Sequence, residues 1–126
     1  MYRIAITMSD MFRDIFLSFV RVHILYHAAE ERIYGLEMIQ ELARHGYDIS
    51  PGTLYPIFHG LEEAGLLRSE QEAVGGKVRK YYRITDQGQE ALDQLRPKIR
   101  ELVDEVLEGP AGERAGAVQN EKEDPA

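Results

Sequence analysis

The sequence predicts a mainly α domain with one small β-hairpin, and three observations carry that prediction. Apolar residues recur at helical spacing in four separate stretches, near residues 12–26, 36–43, 54–61 and 92–106. Between the third and fourth, the run Lys77-Val78-Arg79-Lys80-Tyr81-Tyr82-Arg83-Ile84 follows a Gly75-Gly76 pair, as in a tight hairpin. The third stretch opens on Ser50-Pro51-Gly52-Thr53-Leu54-Tyr55-Pro56, a polar helix start, and stops at Gly65. Helices followed by a charged hairpin in this order make a winged helix-turn-helix, here with an additional helix at each end.

Taken in order, residues 1–9 show no strong period and are expected to form a frayed, disordered arm. Ser9 or Asp10 is the expected N-cap of the helix that follows, and Met8 and Met11 are alternative starts to Met1. From Met11 to about residue 29, Phe12, Ile15, Phe16, Phe19, Val20, Val22, Ile24, Leu25 and Tyr26 cover more than one helical face. A small domain cannot bury such a helix alone, so one face is left for a partner. A second helix is expected over residues 34–44, with Leu36, Ile39, Leu42 and Ala43 on one side and Gly46 and Asp48 marking its end. Ser50 is placed as N-cap of the third helix and Pro51 at its first position, where a missing N–H is not needed. Leu54, Ile57, Phe58 and Leu61 form its inward face, leaving Thr53, Tyr55, Pro56 and His59 outside. A proline as deep as Pro56 removes a hydrogen bond at a cost of about 3 kcal/mol, which predicts a kink or a loose first turn.

The hairpin is expected to pair residues 68–72 with 77–84 around Val74-Gly75-Gly76, with Tyr82 and Ile84 facing inward. Thr85 then caps a last helix in which Leu92, Leu95, Ile99, Leu102 and Val106 alternate steps of three and four residues, the seam of a coiled coil. That regularity implies an intermolecular partner, and Pro97 inside it predicts a bend. Beyond residue 108, Gly109-Pro110-Ala111-Gly112 leads into a polar, charged stretch that cannot offset its ordering entropy and is expected to be disordered. The expected organisation is an arm (1–9), a winged helix-turn-helix domain including the first helix (10–85), a dimerisation helix (86–108) and a tail (109–126).

Composition narrows the function classes. A chain of 126 residues suits one modest core, and with no cysteine it has neither a disulfide framework nor a thiolate nucleophile, so the cytoplasm is the expected compartment. The longest apolar run, residues 15–29, is broken by Arg21 and His23 and falls short of the roughly 20 residues that span a bilayer. No signal-peptide cleavage site follows it, so no membrane partner is expected. The net charge of −7 is unevenly spread: residues 66–85 carry 5 basic and 2 acidic side chains, while the segments on either side are net negative. A winged helix that meets phosphates with its wing needs positive charge only there, and acidity elsewhere limits nonspecific binding. No Ser-His-Asp set assembles, and Gly75-Gly76 lacks the strand–loop–helix context of a phosphate cradle. Neither an enzyme nor any cofactor is expected. His23 and His27 stand four apart with Glu31 a further turn on, a spacing able to hold a metal, but no second element is seen to supply ligands and no metal is expected.

The combination Tyr34-Gly35, Ser50 through Pro56, Leu61-Glu62, Gly65-Leu66, Gly76, Arg79-Lys80-Tyr81-Tyr82 and Thr85-Asp86-Gln87-Gly88 resembles the PadR family of bacterial transcriptional regulators. The likeness covers roughly residues 19–95. The single helix after the wing resembles the subfamily with a short C-terminal region. The resemblance implies a DNA-binding homodimer, usually a repressor, whose first and last helices build the dimer contact. Phe12, Phe16, Phe19, Leu92, Leu95, Ile99, Leu102 and Val106 are the expected interface residues.

The resemblance also implies that Ser50, Gly52, Thr53, Tyr55 and Pro56 lie at or near the major groove of a double-stranded, pseudo-palindromic operator, with His59 one turn on. Hydroxyls and the free N–H groups of a helix start suit phosphate, Tyr55 suits phosphate or sugar, and Pro56 suits a thymine methyl. The alternative for Gly52, Thr53 and Pro56 is that they only shape the turn. Lys77, Arg79 and Lys80 are wing candidates for phosphate or minor-groove contacts, against a reading as solvated charge. Relatives sense small aromatic or lipophilic effectors between dimer helices, and Phe16, Phe19, Ile99 and Val103, with Phe12, are candidates for such a space or for plain dimer core. With no tryptophan, a ligand held between indole rings is excluded. The rival class is a winged helix used as a protein-interaction adaptor without DNA function.

Overall fold

The computed structural model describes residues 7–110. Its order is α1 (Met8–Glu30), α2 (Gly35–Arg44), α3 (Pro51–Glu63), β1 (Leu67–Val74), β2 (Lys77–Ile84) and α4 (Asp86–Val106). The mainly helical fold with an antiparallel hairpin is the one the sequence predicts.

The first helix starts earlier than expected. Thr7 is its N-cap: the Thr7 Oγ1 accepts from the Asp10 N–H at 3.0 Å, and the Met11 N–H reaches the Thr7 carbonyl at 3.1 Å. Asp10, expected as a cap, instead sits in the first turn, where its charge complements the helix dipole. Part of the expected arm is therefore helix, and residues 1–6 lie outside the described residues, as does 111–126 of the expected tail.

Helices α2 and α3 end alike. After α2 the Tyr47 N–H bonds the Leu42 carbonyl and the Gly46 N–H bonds that of Ala43; after α3, Leu66 and Gly65 do the same to Leu61 and Glu62. Gly46 and Gly65 take φ of +88° and +79°, which completes two Schellman caps and turns the chain sharply into the next element. At the start of α3, Ser50 is extended and its carbonyl accepts from the Thr53 and Leu54 N–H groups, but its Oγ lies 3.4 Å from the Thr53 hydroxyl and does not cap the backbone. Pro56 sits inside a continuous α3. The bond it deletes is the one to the carbonyl of Gly52, which is exposed in the first turn and open to water, so the helix tolerates the loss.

The core is shared by all these elements. Val20, Ile24, Leu25 and Ala28 of α1 meet Met38 and Leu42 of α2, Leu54, Ile57, Phe58 and Leu61 of α3, and Leu67 and Tyr82 of the hairpin. The Phe58 and Tyr82 rings lie 4.3 Å apart and pin α3 to the hairpin. Ile33 extends the sheet by one bridge, exchanging bonds of 2.9 and 2.7 Å with the backbone of Tyr82. The strands run further toward the tip than expected, to a Val74↔Lys77 pair, because Gly75 and Gly76 both adopt positive φ and close a two-residue turn. Tyr82 faces inward as expected and Ile84 is half-buried against the core. Tyr81 is buried too, on the other face of the hairpin.

Thr85 caps α4 as expected: its Oγ1 accepts from the Gly88 N–H at 2.9 Å and donates to the Gly65 carbonyl. A side chain at Gly88 would collide with the Leu66 carbonyl oxygen, so this close approach requires glycine. Leu92 corrects one expectation. Placed by its spacing in a seam facing a partner, it is 2% exposed within the core of its own chain.

The chain divides into two compact units, one through Leu92 and one from Asp93 onward. In the second, the helix continues through Pro97 and ends at Val106, with Leu95 half-buried and Ile99, Leu102 and Val106 exposed.

Candidate nucleic-acid interface

The chemistry of α3 separates by side. Leu54, Ile57, Phe58 and Leu61 are buried, while Ser50, Gly52, Tyr55, Pro56 and His59 are exposed and Thr53 is half-buried. At about 100° per residue, Gly52, Tyr55, Pro56 and His59 share one arc opposite the buried side chains. Of the residues expected from sequence to meet the groove, Gly52, Tyr55, Pro56 and His59 therefore stand together on the solvent side of the helix, while Thr53 is half-buried off this arc and Ser50 precedes the helix.

Tyr55 also does structural work. A Cβ at Gly35 would collide with the Tyr55 hydroxyl, so the ring lies directly over the start of α2. The Tyr34-Gly35 pair is thus explained by packing: glycine is the residue that lets the Tyr55 phenol approach the backbone, at the helix end where N–H groups are unpaired. The phenol remains 43% exposed. A hydroxyl beside free helix-start N–H groups is an arrangement suited to a phosphate.

A groove between α1 and α3 is lined by Arg13, Leu17 and Arg21 on one wall and by Gly52, Thr53, Pro56, Ile57, Gly60, Leu61 and Ala64 on the other. Gly52, Pro56, Gly60 and Ala64 repeat every fourth residue, as do Arg13, Leu17 and Arg21, so the two stripes face each other along the helices. Arg13 and Arg21 are cations beside α3 that were not among the expected site residues. Their spacing carried the signal, hidden within an apolar helix.

The wing divides its charges between two faces. The register Val74↔Lys77, Glu72↔Arg79, Glu70↔Tyr81 and Arg68↔Arg83 places Lys77 and Arg79 on one face, with Lys80 on the other beside Gln71. Arg79 is half-buried, its guanidinium 4.1 Å above the Tyr34 ring and its Nη1 donating to the Tyr81 hydroxyl at 3.3 Å. Lys80 reaches Glu62 of α3 at 4.0 Å, and Lys77 is exposed next to the tip. The acidic residues of the wing are themselves paired. Arg83 Nε meets Glu70 at 3.0 Å, and Arg32, stacked 3.8 Å over Tyr81, pairs with both Glu70 and Glu72. The Arg83 hydrogen bond, with Arg32 adding to it against partial desolvation, holds the Glu70 carboxyl below the usual carboxylate range. Arg32 therefore neutralises the wing's own carboxylates from outside the hairpin.

The residues expected to line an effector space fall in two depressions. Phe16 and Phe19 line one with Phe12, Arg13, Ile15 and Tyr47, in the first unit. Ile99 and Val103 line another with Arg96, Pro97 and Arg100, in the second. Tyr47, which packs 4.9 Å from Phe16, was not among the expected residues because it lies in the turn after α2, outside any periodic run. The histidines give a further correction. His23 and His27 of α1 are joined by His45, the C-cap of α2, so a second element does supply a ligand-type group.

Comparison with known proteins agrees with this geometry. Residues 24–94 match the transcriptional regulator PadR-like family. The chain is 53% identical over 90 residues to transcriptional regulator Rv3488 of Mycobacterium tuberculosis, covering 71% of this chain and 84% of that protein. It is 32% identical to the transcriptional activator GvpE of Haloferax mediterranei, over 72% of this chain but 45% of that one. Among solved structures, a PadR family transcriptional regulator from Eggerthella lenta superposes with a TM-score of 0.68 at 37% identity, covering 78% of this chain and 87% of its own. A winged-helix fold, a third helix with Tyr55, Pro56 and His59 turned outward, and these likenesses lead to one conclusion: the chain belongs to the PadR-like family of transcriptional regulators.

Proposed function

We propose that this regulator is a homodimeric repressor that reads a pseudo-palindromic operator with the exposed arc of α3 and meets the flanking backbone with its wing. The observation that carries the reading is the arc itself: Gly52, Tyr55, Pro56 and His59 are exposed on the side of α3 opposite its buried apolar face, with Ser50 exposed at the helix start. The exposed residues Met8, Met11, Phe12, Ile15 and Phe19 on α1, and Ile99, Leu102 and Val106 on α4, support a second copy as partner. A small aromatic or lipophilic effector fits the apolar depression around Phe12, Phe16 and Phe19, and would release the operator by changing the angle between the two recognition helices.

Fluorescence anisotropy with DNA from upstream of the protein's own gene, against a scrambled duplex across a salt series, tests this reading. The expected result is tight binding with a clear margin over scrambled DNA and a steep salt slope. Tyr55→Ala is expected to weaken binding while the far-UV spectrum stays unchanged. Neutralising Lys77, Arg79 and Lys80 lowers the slope by about 0.9 for each phosphate contact removed. No binding even at low salt favours the protein-interaction adaptor. One relative carries the name of an activator, which gives the opposite direction of regulation a specific basis. A reporter fused to the bound promoter separates the two, since deleting a repressor raises transcription and deleting an activator lowers it.

A further inference from the structure

We propose that His23, His27 and His45 form a binding site for a borderline divalent cation of the zinc, nickel or cobalt class, with Glu41 as a neighbouring carboxylate. One ligand atom from each of the three histidines lies within 4.8 Å of the others. Bonds of about 2.0–2.1 Å to each nitrogen require a somewhat tighter cluster. His45 can supply that closure, because it is exposed and stands at the end of α2, where side-chain rotation disturbs no core packing. The donors come as two i,i+4 pairs. His23 and His27 project from one face of α1, and Glu41 and His45 from one face of α2 and its cap.

The neighbourhood is short of one partner. The Nε2 of His27 is fully buried and makes no hydrogen bond. The nearest acidic atom, Glu41 Oε1, lies 3.8 Å away, too far for a hydrogen bond. Arg44 engages the other oxygen of Glu41, so Oε1 is left on the histidine side. A cation among these groups would pair the buried nitrogen and bring the carboxylate's charge into play. The His23 and His45 rings stack at 4.7 Å, and Tyr47 closes against His23 at 5.2 Å, which gives the cluster an aromatic wall. Three imidazoles and one carboxylate suit zinc, nickel or cobalt over magnesium or calcium, which favour all-oxygen sites. Bound there, the ion would tie α1 to the turn that leads into the recognition helix.

The test needs no DNA. The full chain, stripped by chelator, is titrated with Zn²⁺ alone and, separately, with Mg²⁺, by calorimetry and by thermal melting. The expected result is one Zn²⁺ per chain, a Zn²⁺-dependent rise in Tm and no response to Mg²⁺. His45→Ala is expected to lower Zn²⁺ affinity by more than about tenfold and to abolish the rise. It should also remove the visible absorption that Co²⁺ acquires on binding. If His45→Ala lowers the metal-free Tm, His23→Gln provides the same comparison. Zn²⁺ uptake and a Tm rise that survive both substitutions, equal uptake of Mg²⁺, or no Zn²⁺ uptake at micromolar concentration would each overturn the site.

Discussion

The two halves of α1 are built from the same kinds of residue and meet opposite surroundings. Val20, Ile24, Leu25 and Ala28 are at most 4% exposed, whereas Met8, Met11, Phe12 and Ile15 are 40% exposed or more. The C-terminal half completes the core of its own chain, and the N-terminal half presents apolar surface that is exposed among the described residues. Along α4 the same division separates Leu92, buried in the core, from exposed Ile99, Leu102 and Val106. Apolar periodicity reports that a face is to be buried. It does not report in which molecule.

That division can be broken experimentally, beginning where the effect is largest. Ile24→Ala removes a fully buried side chain and is expected to cost about 2–5 kcal/mol by chemical denaturation. Phe12→Glu combined with Ile15→Glu is expected to leave the helical spectrum intact and to dissociate the proposed dimer, seen as a halved mass in sedimentation. Smaller in effect is the contact that seats α3 on α2. Gly35→Ala drives a methyl group into the Tyr55 hydroxyl and is expected to cost about 1–3 kcal/mol. Shortening residue 55 with Tyr55→Ala in the same chain should recover most of that loss, and full additivity of the two costs would show that they do not touch. Thr85→Ala removes the cap of α4 and is expected to cost about 1 kcal/mol.

The smallest effect concerns pH. Glu70 has its carboxyl pKa lowered chiefly by Arg83, so any stabilisation from this pairing is present above the unfolded carboxylate pKa and is lost as pH falls through the lower folded value. Observed by NMR, the Glu70 carboxyl should titrate below the ordinary glutamate range, and Arg83→Gln should move it back up. An unmoved titration would remove Arg83 as the cause.

Much of the side proposed to face DNA was legible in the sequence because it depends on local rules. The inward face of α3, the glycine after it and the Thr85 cap each follow from spacing or from one residue's chemistry, and each is found where expected. What escaped depends on distant pairings. Leu92 has the spacing of a coiled-coil seam, yet the close approach at Gly88 draws the start of α4 onto its own core. Arg32 reads as a loop cation until the fold lays it over Tyr81 and between Glu70 and Glu72. His45 looks like a helix end and becomes the third member of a histidine cluster only once α2 packs on α1. Thr7 is hard to read as the cap from sequence because Ser9 and Asp10, equally good caps by type, stand closer to the apolar run.

The most direct measurement is sedimentation equilibrium of the purified chain at micromolar concentration, without DNA. Two chains per particle, falling to one with Phe12→Glu and Ile15→Glu, is the result predicted if the exposed half of α1 is a surface for a second copy. A monomer at all concentrations, or a dimer indifferent to those substitutions, would contradict it.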